Sequence, residues 1–203
     1  MKVVEFFGMP RSGKTEQIQR LSKYLKSRDI EQHIITDREI EREIKIPVDM
    51  PYLYNQIFFE KIDKKLLKAK NSKKFEIVIL DRGFFDREVW FNVEYALKSI
   101  SVETKKIALK EQKNLTKKID FAIMLMVDIN TSLQRHKKKG EIGLTEKVVL
   151  EKRYLNTLYK EYLKLKRKLK KNKKVLILNG KQPTKLLEKK IRKTLESNKI
   201  IRN

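Results

Sequence analysis

The chain has 203 residues, 40% of them hydrophobic, which is enough to bury a sizeable core in one domain, and no Pro/Gly/Ser-rich linker divides it. It carries no cysteine, which excludes disulfides, thiolate metal sites and cysteine nucleophiles; no apolar run approaches the roughly 20 residues that span a bilayer, so a cytoplasmic protein is expected. The formal net charge of +24 is lopsided: residues 1–100 hold 20 Lys/Arg against 16 Asp/Glu and residues 101–203 hold 30 against 10, a field that draws nucleotides, nucleic acid or anionic lipid, unless the lysines only solvate helix faces.

Taken in order, strands and helices alternate. Residues 2–7 form an apolar strand, and directly behind it Gly8-Met9-Pro10-Arg11-Ser12-Gly13-Lys14-Thr15 spells G-x-x-x-x-G-K-T, the pattern and place of a phosphate-cradling loop. Glycines there adopt backbone angles that a side chain forbids, so successive N–H groups can point at an anion, and a helix over residues 14–28 adds its positive end. Lys14 can reach terminal phosphates as a mobile point charge, and the Thr15 hydroxyl suits Mg²⁺, a hard cation that prefers oxygen. With only 6 glycines in the chain, an accidental match is roughly a one-in-a-few-hundred event at this composition.

A short strand over 33–36, an amphipathic stretch over 38–46 closed by Pro47, and a helix over 52–69 follow. The run 75–80 (FEIVIL) is a strand ending in Asp81-Arg82-Gly83, and helical segments over 84–99 and 102–118 lead to the strand 121–127 (FAIMLMV). A basic stretch over 131–141 precedes a long helix over 145–170, whose lysines interleave with apolar residues as a solvated wall does; a strand over 174–178 and a helix over 183–197 complete the pattern. Near-continuous apolar strands separated by helices predict a doubly wound α/β sandwich, three layers around a parallel sheet. Ligands of such sheets bind beyond the carboxyl ends of the strands, so the chemistry is expected there.

At the end of the third strand, Asp81 can hold Mg²⁺ through water or orient a nucleophile, or simply cap the next helix, and Arg82 beside it supplies a bidentate anion fork. Asp86 and Arg87 read equally as a solvated pair or as lining of an acceptor pocket.

A strand and P-loop, a later strand ending in Asp81-Arg82, a basic segment ahead of a long Tyr-containing helix, and a last strand followed by Asn179-Gly180 together resemble the thymidylate kinase and deoxynucleoside kinase group of P-loop phosphotransferases. The resemblance spans nearly the whole chain in order of elements. It implies one kinase domain over 1–203, a five-stranded sheet in the order 2-3-1-4-5, ATP and Mg²⁺ as cofactors, a small-molecule acceptor and a homodimer. Arg11 looks like an arginine that bridges donor and acceptor phosphates, although Pro10 stands where thymidylate kinases have an acidic residue. Residues 131–143 look like a lid, with Arg135 as its phosphate fork and His136 incidental. Asp37, Arg38 and Glu39 fall where this group places a carboxylate base or an Arg-Glu pair for the acceptor. Tyr52, Tyr54, Gln56, Phe58 and Phe59 can form a base pocket with Gln56 reading the edge, or be ordinary helix core. The loop at Asn179-Gly180-Lys181-Gln182-Pro183 falls where the donor adenine is wrapped, with Gly180 as its contact, and also reads as a plain turn.

The function expected is ATP- and Mg²⁺-dependent transfer of a γ-phosphoryl group to a nucleoside monophosphate or nucleoside, with Lys14, Arg11, Asp81, Arg82 and Arg135 as the catalytic set. Two alternatives remain: a kinase acting on a nucleic-acid 5′-hydroxyl, served by the basic C-terminal half, and a P-loop regulatory protein, which the lack of an Asn-Lys-x-Asp motif disfavours.

Overall fold

A computed structural model of the chain describes residues 1–45, 50–139 and 152–202. Pro47, the end of the basic stretch with Gly140 and Glu141, and the expected start of the long helix lie outside the described residues. Strand β1 (Lys2–Gly8) is the centre of a parallel sheet with β2 (Gln32–Thr36), β3 (Ile77–Asp81), β4 (Phe121–Met126) and β5 (Val175–Asn179), in the order β2-β3-β1-β4-β5. This is the expected order, and it sets the carboxyl ends of β1 and β3 side by side, with Phe6 paired to Asp81.

Alternate residues of each strand feed separate cores, as strands covered on both faces must. Val4 and Phe6, Ile77 and Ile79, and Phe121, Ile123 and Leu125 pack under α1 (Lys14–Lys26) and α8 (Thr184–Ser197). Val3 and Phe7, Val78 and Leu80, and Ala122, Met124 and Met126 pack under α3 (Pro51–Ser72), α4 (Phe84–Ala96), α5 (Val102–Leu115) and α7 (Lys152–Leu169). In α7 the stripe Leu155, Leu158, Tyr162, Leu165 and Leu169 is buried and the lysines between face water, so the basic run is a helix wall.

Two helices start where the site needs them. Thr36 accepts the Glu39 amide at 3.1 Å and so begins α2 (Asp37–Glu43) directly at the end of β2. Asp128 accepts the Thr131 amide at 2.8 Å at the start of α6 (Ile129–Lys139), which turns the basic stretch expected beyond β4 into a regular helix as far as it is described. No helix of the described residues is long and apolar enough to cross a membrane.

Candidate active site

The loop between β1 and α1 has the backbone its sequence demands. Gly8 and Gly13 lie at φ 124° and 98°, and Arg11 at 56°. Gly8 also passes so close to β4 that a Cβ would stand 2.1 Å from the Leu125 carbonyl oxygen, so its side-chain position must be empty. Lys14 is buried and curls back over the loop, donating to the Gly8 and Met9 carbonyls at 3.1 and 2.9 Å. Burial, aided by the Arg82 guanidinium, lowers its ammonium to about 8. The buried Ser12 hydroxyl has no hydrogen-bond partner among the described residues. Ser132 of α6 donates to the Pro10 carbonyl at 2.9 Å and holds the loop's outer edge.

Asp81 and Thr15 meet as the motif spacing requires. The Thr15 hydroxyl donates to Asp81 Oδ2 at 3.0 Å, while Oδ1 is buried without a partner among the described residues. Burial, then the Asp37 charge, raises the Asp81 carboxyl. A hydroxyl beside a carboxylate with an oxygen to spare, at the end of this glycine-bearing loop, is a donor set that a hard divalent cation could take if phosphates and water completed its shell.

Arg82 dominates the opposite wall. Its residue sits at φ 66° with its amide bonded to the Phe6 carbonyl at 2.8 Å, and its Nε meets Asp37 Oδ2 at 3.1 Å. Its Nη1 meets Asp86 Oδ2 at 2.7 Å. Asp86 is fully buried; burial would raise its carboxyl, but Arg82, then Lys14 and Tyr162, hold it at about 2. Of the acceptor residues expected from the sequence, Asp37 is the one brought to Arg82 among the described residues. Arg38 is exposed on α2, and Glu39 pairs with Lys65 at 2.6 Å.

Gln56 donates to the Tyr52 hydroxyl at 3.0 Å. Phe59 departs from the pocket place expected for it and takes the core alternative: it is 1% exposed and its ring packs against Phe84 and Phe91 of α4, because its position on α3 lies on the face buried against that helix. Phe58 is equally buried and carries the Arg87 guanidinium 3.5 Å above its ring. Arg87 donates to Asn55 Oδ1 at 2.7 Å, its Nε has no partner among the described residues, and burial lowers its guanidinium. Trp90 donates to Asp86 Oδ2 at 2.8 Å.

On the other side of the loop, Arg135 donates to the Arg11 carbonyl at 3.1 Å and to the Gly180 carbonyl at 2.9 Å, joining α6, the phosphate loop and the turn after β5. Gly180 is required there, since a Cβ would stand 2.5 Å from the Ser12 carbonyl oxygen. A cleft of about 250 Å³ opens between these parts, lined by Arg11, Gly13, Gln17, Arg135, Gly180 and Gln182 among others. Arg11 Nη2 and His136 Nδ1 lie 3.4 Å apart at its edge, which brings His136 into the site's rim.

Sequence reasoning missed three participants. Glu5, buried within β1, accepts the Phe85 and Asp86 amides at 3.1 Å each, and an acid in the middle of the apolar run over residues 3–7 was its signal. Asn55 and Tyr162 had none, being a polar position on a helix and one tyrosine in a Leu/Lys pattern.

No protein-family model and no curated protein sequence matches the chain. Solved structures of deoxyadenosine kinase from M. mycoides do. One, with the products dCMP and a flexible dCDP bound, has a TM-score of 0.72 at 20% identity and covers 96% of this chain and 99% of that one. A second, with dATP bound, has a TM-score of 0.71 at 20% identity, and a third, with dCTP bound, 0.61 at 21%, both with the same coverage. At this identity the likeness establishes the fold: a P-loop kinase α/β sandwich over nearly the whole chain.

Proposed function

We propose that the chain is an ATP- and Mg²⁺-dependent kinase that transfers the γ-phosphoryl group to the hydroxyl of a nucleoside. The observation that carries this reading is the ion pair of Asp37 with Arg82, 3.1 Å apart, beyond the ends of β2 and β3 and near enough to Lys14 for both charges to act on its ammonium. An ionised phosphate acceptor needs cations and no base, whereas a hydroxyl needs a carboxylate to take its proton, and the carboxylate of Asp37 beside Arg82 supports the second reading. The solved kinase of the same fold, with dCMP and dCDP as products, supports the choice of a nucleoside-type acceptor.

The chemistry is positional and electrostatic. The loop amides and Lys14 grip the donor's β- and γ-phosphates, and the cleft beside Arg135 and Gly180 takes its base. Mg²⁺, held by Thr15 and Asp81, would neutralise charge on those phosphates. Arg82 and Arg11 flank the transferring group. As the acceptor oxygen bonds to phosphorus, its O–H bond breaks toward Asp37 and ADP departs.

The test is to incubate the protein with ATP, Mg²⁺ and a panel of nucleosides and nucleoside monophosphates and to identify phosphorylated product by mass. A phosphorylated nucleoside is expected. Lys14→Met should abolish transfer, and Asp37→Asn should lower kcat by about a hundredfold or more. Product formed only from monophosphates would replace Asp37 as base with a purely cationic acceptor site, and transfer to nucleic-acid 5′ ends would favour a polynucleotide acceptor. ATP binding with no transfer across the panel would make the chain a nucleotide-dependent regulator.

A further inference from the structure

Asp86 has no part in the chemistry above, yet it is the most heavily bonded carboxylate of the site. Four donors converge on it: the Gly8 amide at 3.3 Å, Arg82 Nη1 at 2.7 Å, Trp90 Nε1 at 2.8 Å and the Tyr162 hydroxyl at 2.5 Å. They come from the phosphate loop, the end of β3, α4 and α7.

A helix cap does not explain it. Glu5 already supplies both oxygens to the first turn of α4 by accepting the Phe85 and Asp86 amides, so capping needs no second buried carboxylate there. Nor does packing, because a buried charge is costly unless it is fully paired, and an apolar or neutral side chain would fill the same space at lower cost. What a carboxylate at this point does do is share the guanidinium of Arg82. With Nη1 drawn to Asp86, the fork is turned so that Nε faces Asp37. Through its other oxygen the same carboxylate holds the amide of Gly8, the first residue of the phosphate loop.

We infer that Asp86 is a positioning residue: it fixes Arg82 in the orientation that presents it to Asp37, and it ties that arginine to the phosphate loop so that acceptor and donor are held in one register. This rests on the kinase reading above. Without the Asp86 charge, Arg82 is free to close fully onto Asp37, which then competes with the acceptor hydroxyl for the carboxylate. The donor phosphates, held by loop amides and Lys14, are left as they were. The consequence is a loss in turnover without a loss in ATP binding.

Two measurements decide it. Asp86→Asn keeps the shape, and should lower kcat by about tenfold or more while the KM for ATP stays within about twofold. Tyr162→Phe, which removes one donor and no charge, should lower kcat by a smaller factor with the same split. A folded Asp86→Asn with unchanged kcat, or with kcat and ATP affinity falling together, overturns the inference. If Asp86→Asn does not fold, unchanged kcat in Tyr162→Phe overturns it.

Trp90 supplies the second readout, since the only tryptophan of the chain bonds directly to Asp86. Its indole N–H resonance should shift when a non-hydrolysable ATP analogue with Mg²⁺ fills the phosphate loop, and an unmoved resonance at saturation overturns the link to Gly8. The resonance does not depend on transfer, so a protein that shifts Trp90 but phosphorylates nothing refutes the kinase reading and leaves the link standing.

Discussion

Glu5 shows how much a single buried group can set. Burial pushes its carboxyl up to about 8, although the two amides it accepts pull the other way by favouring the charged form. The unfolded chain releases this proton near 4.5, so between pH 4.5 and about 8 the native state holds a proton that the unfolded state has lost. Stability therefore falls as pH rises through that window, by up to about 1.4 kcal/mol per pH unit, and levels off above it. Glu5→Gln cannot titrate, so urea unfolding should show the stability of the natural chain relative to this variant declining from about pH 5 to about pH 8. A constant difference across that range would mean that Glu5 is charged throughout. At this scale the sequence spoke through spacing: Gly8 to Thr15 could be read because one loop needs them all, and Asp81-Arg82 because they end a strand. The bond from Tyr162 to Asp86 joins residues 76 apart, and no local pattern carries such a pairing. Phe59 misled for the related reason that a helical period marks a buried face without distinguishing core from pocket.

Among elements, the joint between α6, the phosphate loop and the turn after β5 depends on one side chain. Arg135 meets two backbone carbonyls, those of Arg11 and Gly180, and charge-assisted bonds from a planar fork are stronger and more directional than those of an ammonium. Arg135→Ala should raise the KM for ATP by about tenfold and cost about 1–3 kcal/mol of stability, with Arg135→Lys in between, as read by steady-state kinetics and thermal unfolding. A KM unchanged in the alanine variant would remove α6 from the donor site. Gly180→Ala should damage the same joint from the other side, because its Cβ would press on the Ser12 carbonyl at 2.5 Å. Apolar and charged alternation announced α8 with its end at Ser197, and all five strands were legible, β3 and β4 as buried apolar runs. That α6 runs regularly from Ile129 to Lys139 was not, because its basic composition reads as a loop and its cap, Asp128, lies before the charged stretch begins.

For the molecule as a whole, alternating strands and helices announced a parallel sheet and the family resemblance implied its order β2-β3-β1-β4-β5, but the charge asymmetry is read only in three dimensions. Lys185, Lys189 and Lys193 of α8 join Arg20 and Arg192 around a depression of about 600 Å³ against α1, whose lining also includes Glu188 and Glu196. The cleft proposed for the donor base opens along the same pair of helices, at Gln17, Thr184 and Leu187. On that reading a net positive field near it would concentrate an anionic nucleotide and speed its encounter, and salt screens such a field over a Debye length of about 10 Å at 0.1 M. The kcat/KM for ATP should accordingly fall several-fold between about 20 and about 300 mM KCl, while kcat, set by contacts inside the site, changes little. Reversing two exposed charges, Lys189→Glu with Lys193→Glu, should lower kcat/KM at low salt and flatten its salt dependence without altering kcat, since neither lysine lines the donor cleft. Parallel salt slopes for the natural chain and the double variant would assign these lysines to solvation of the α8 face alone.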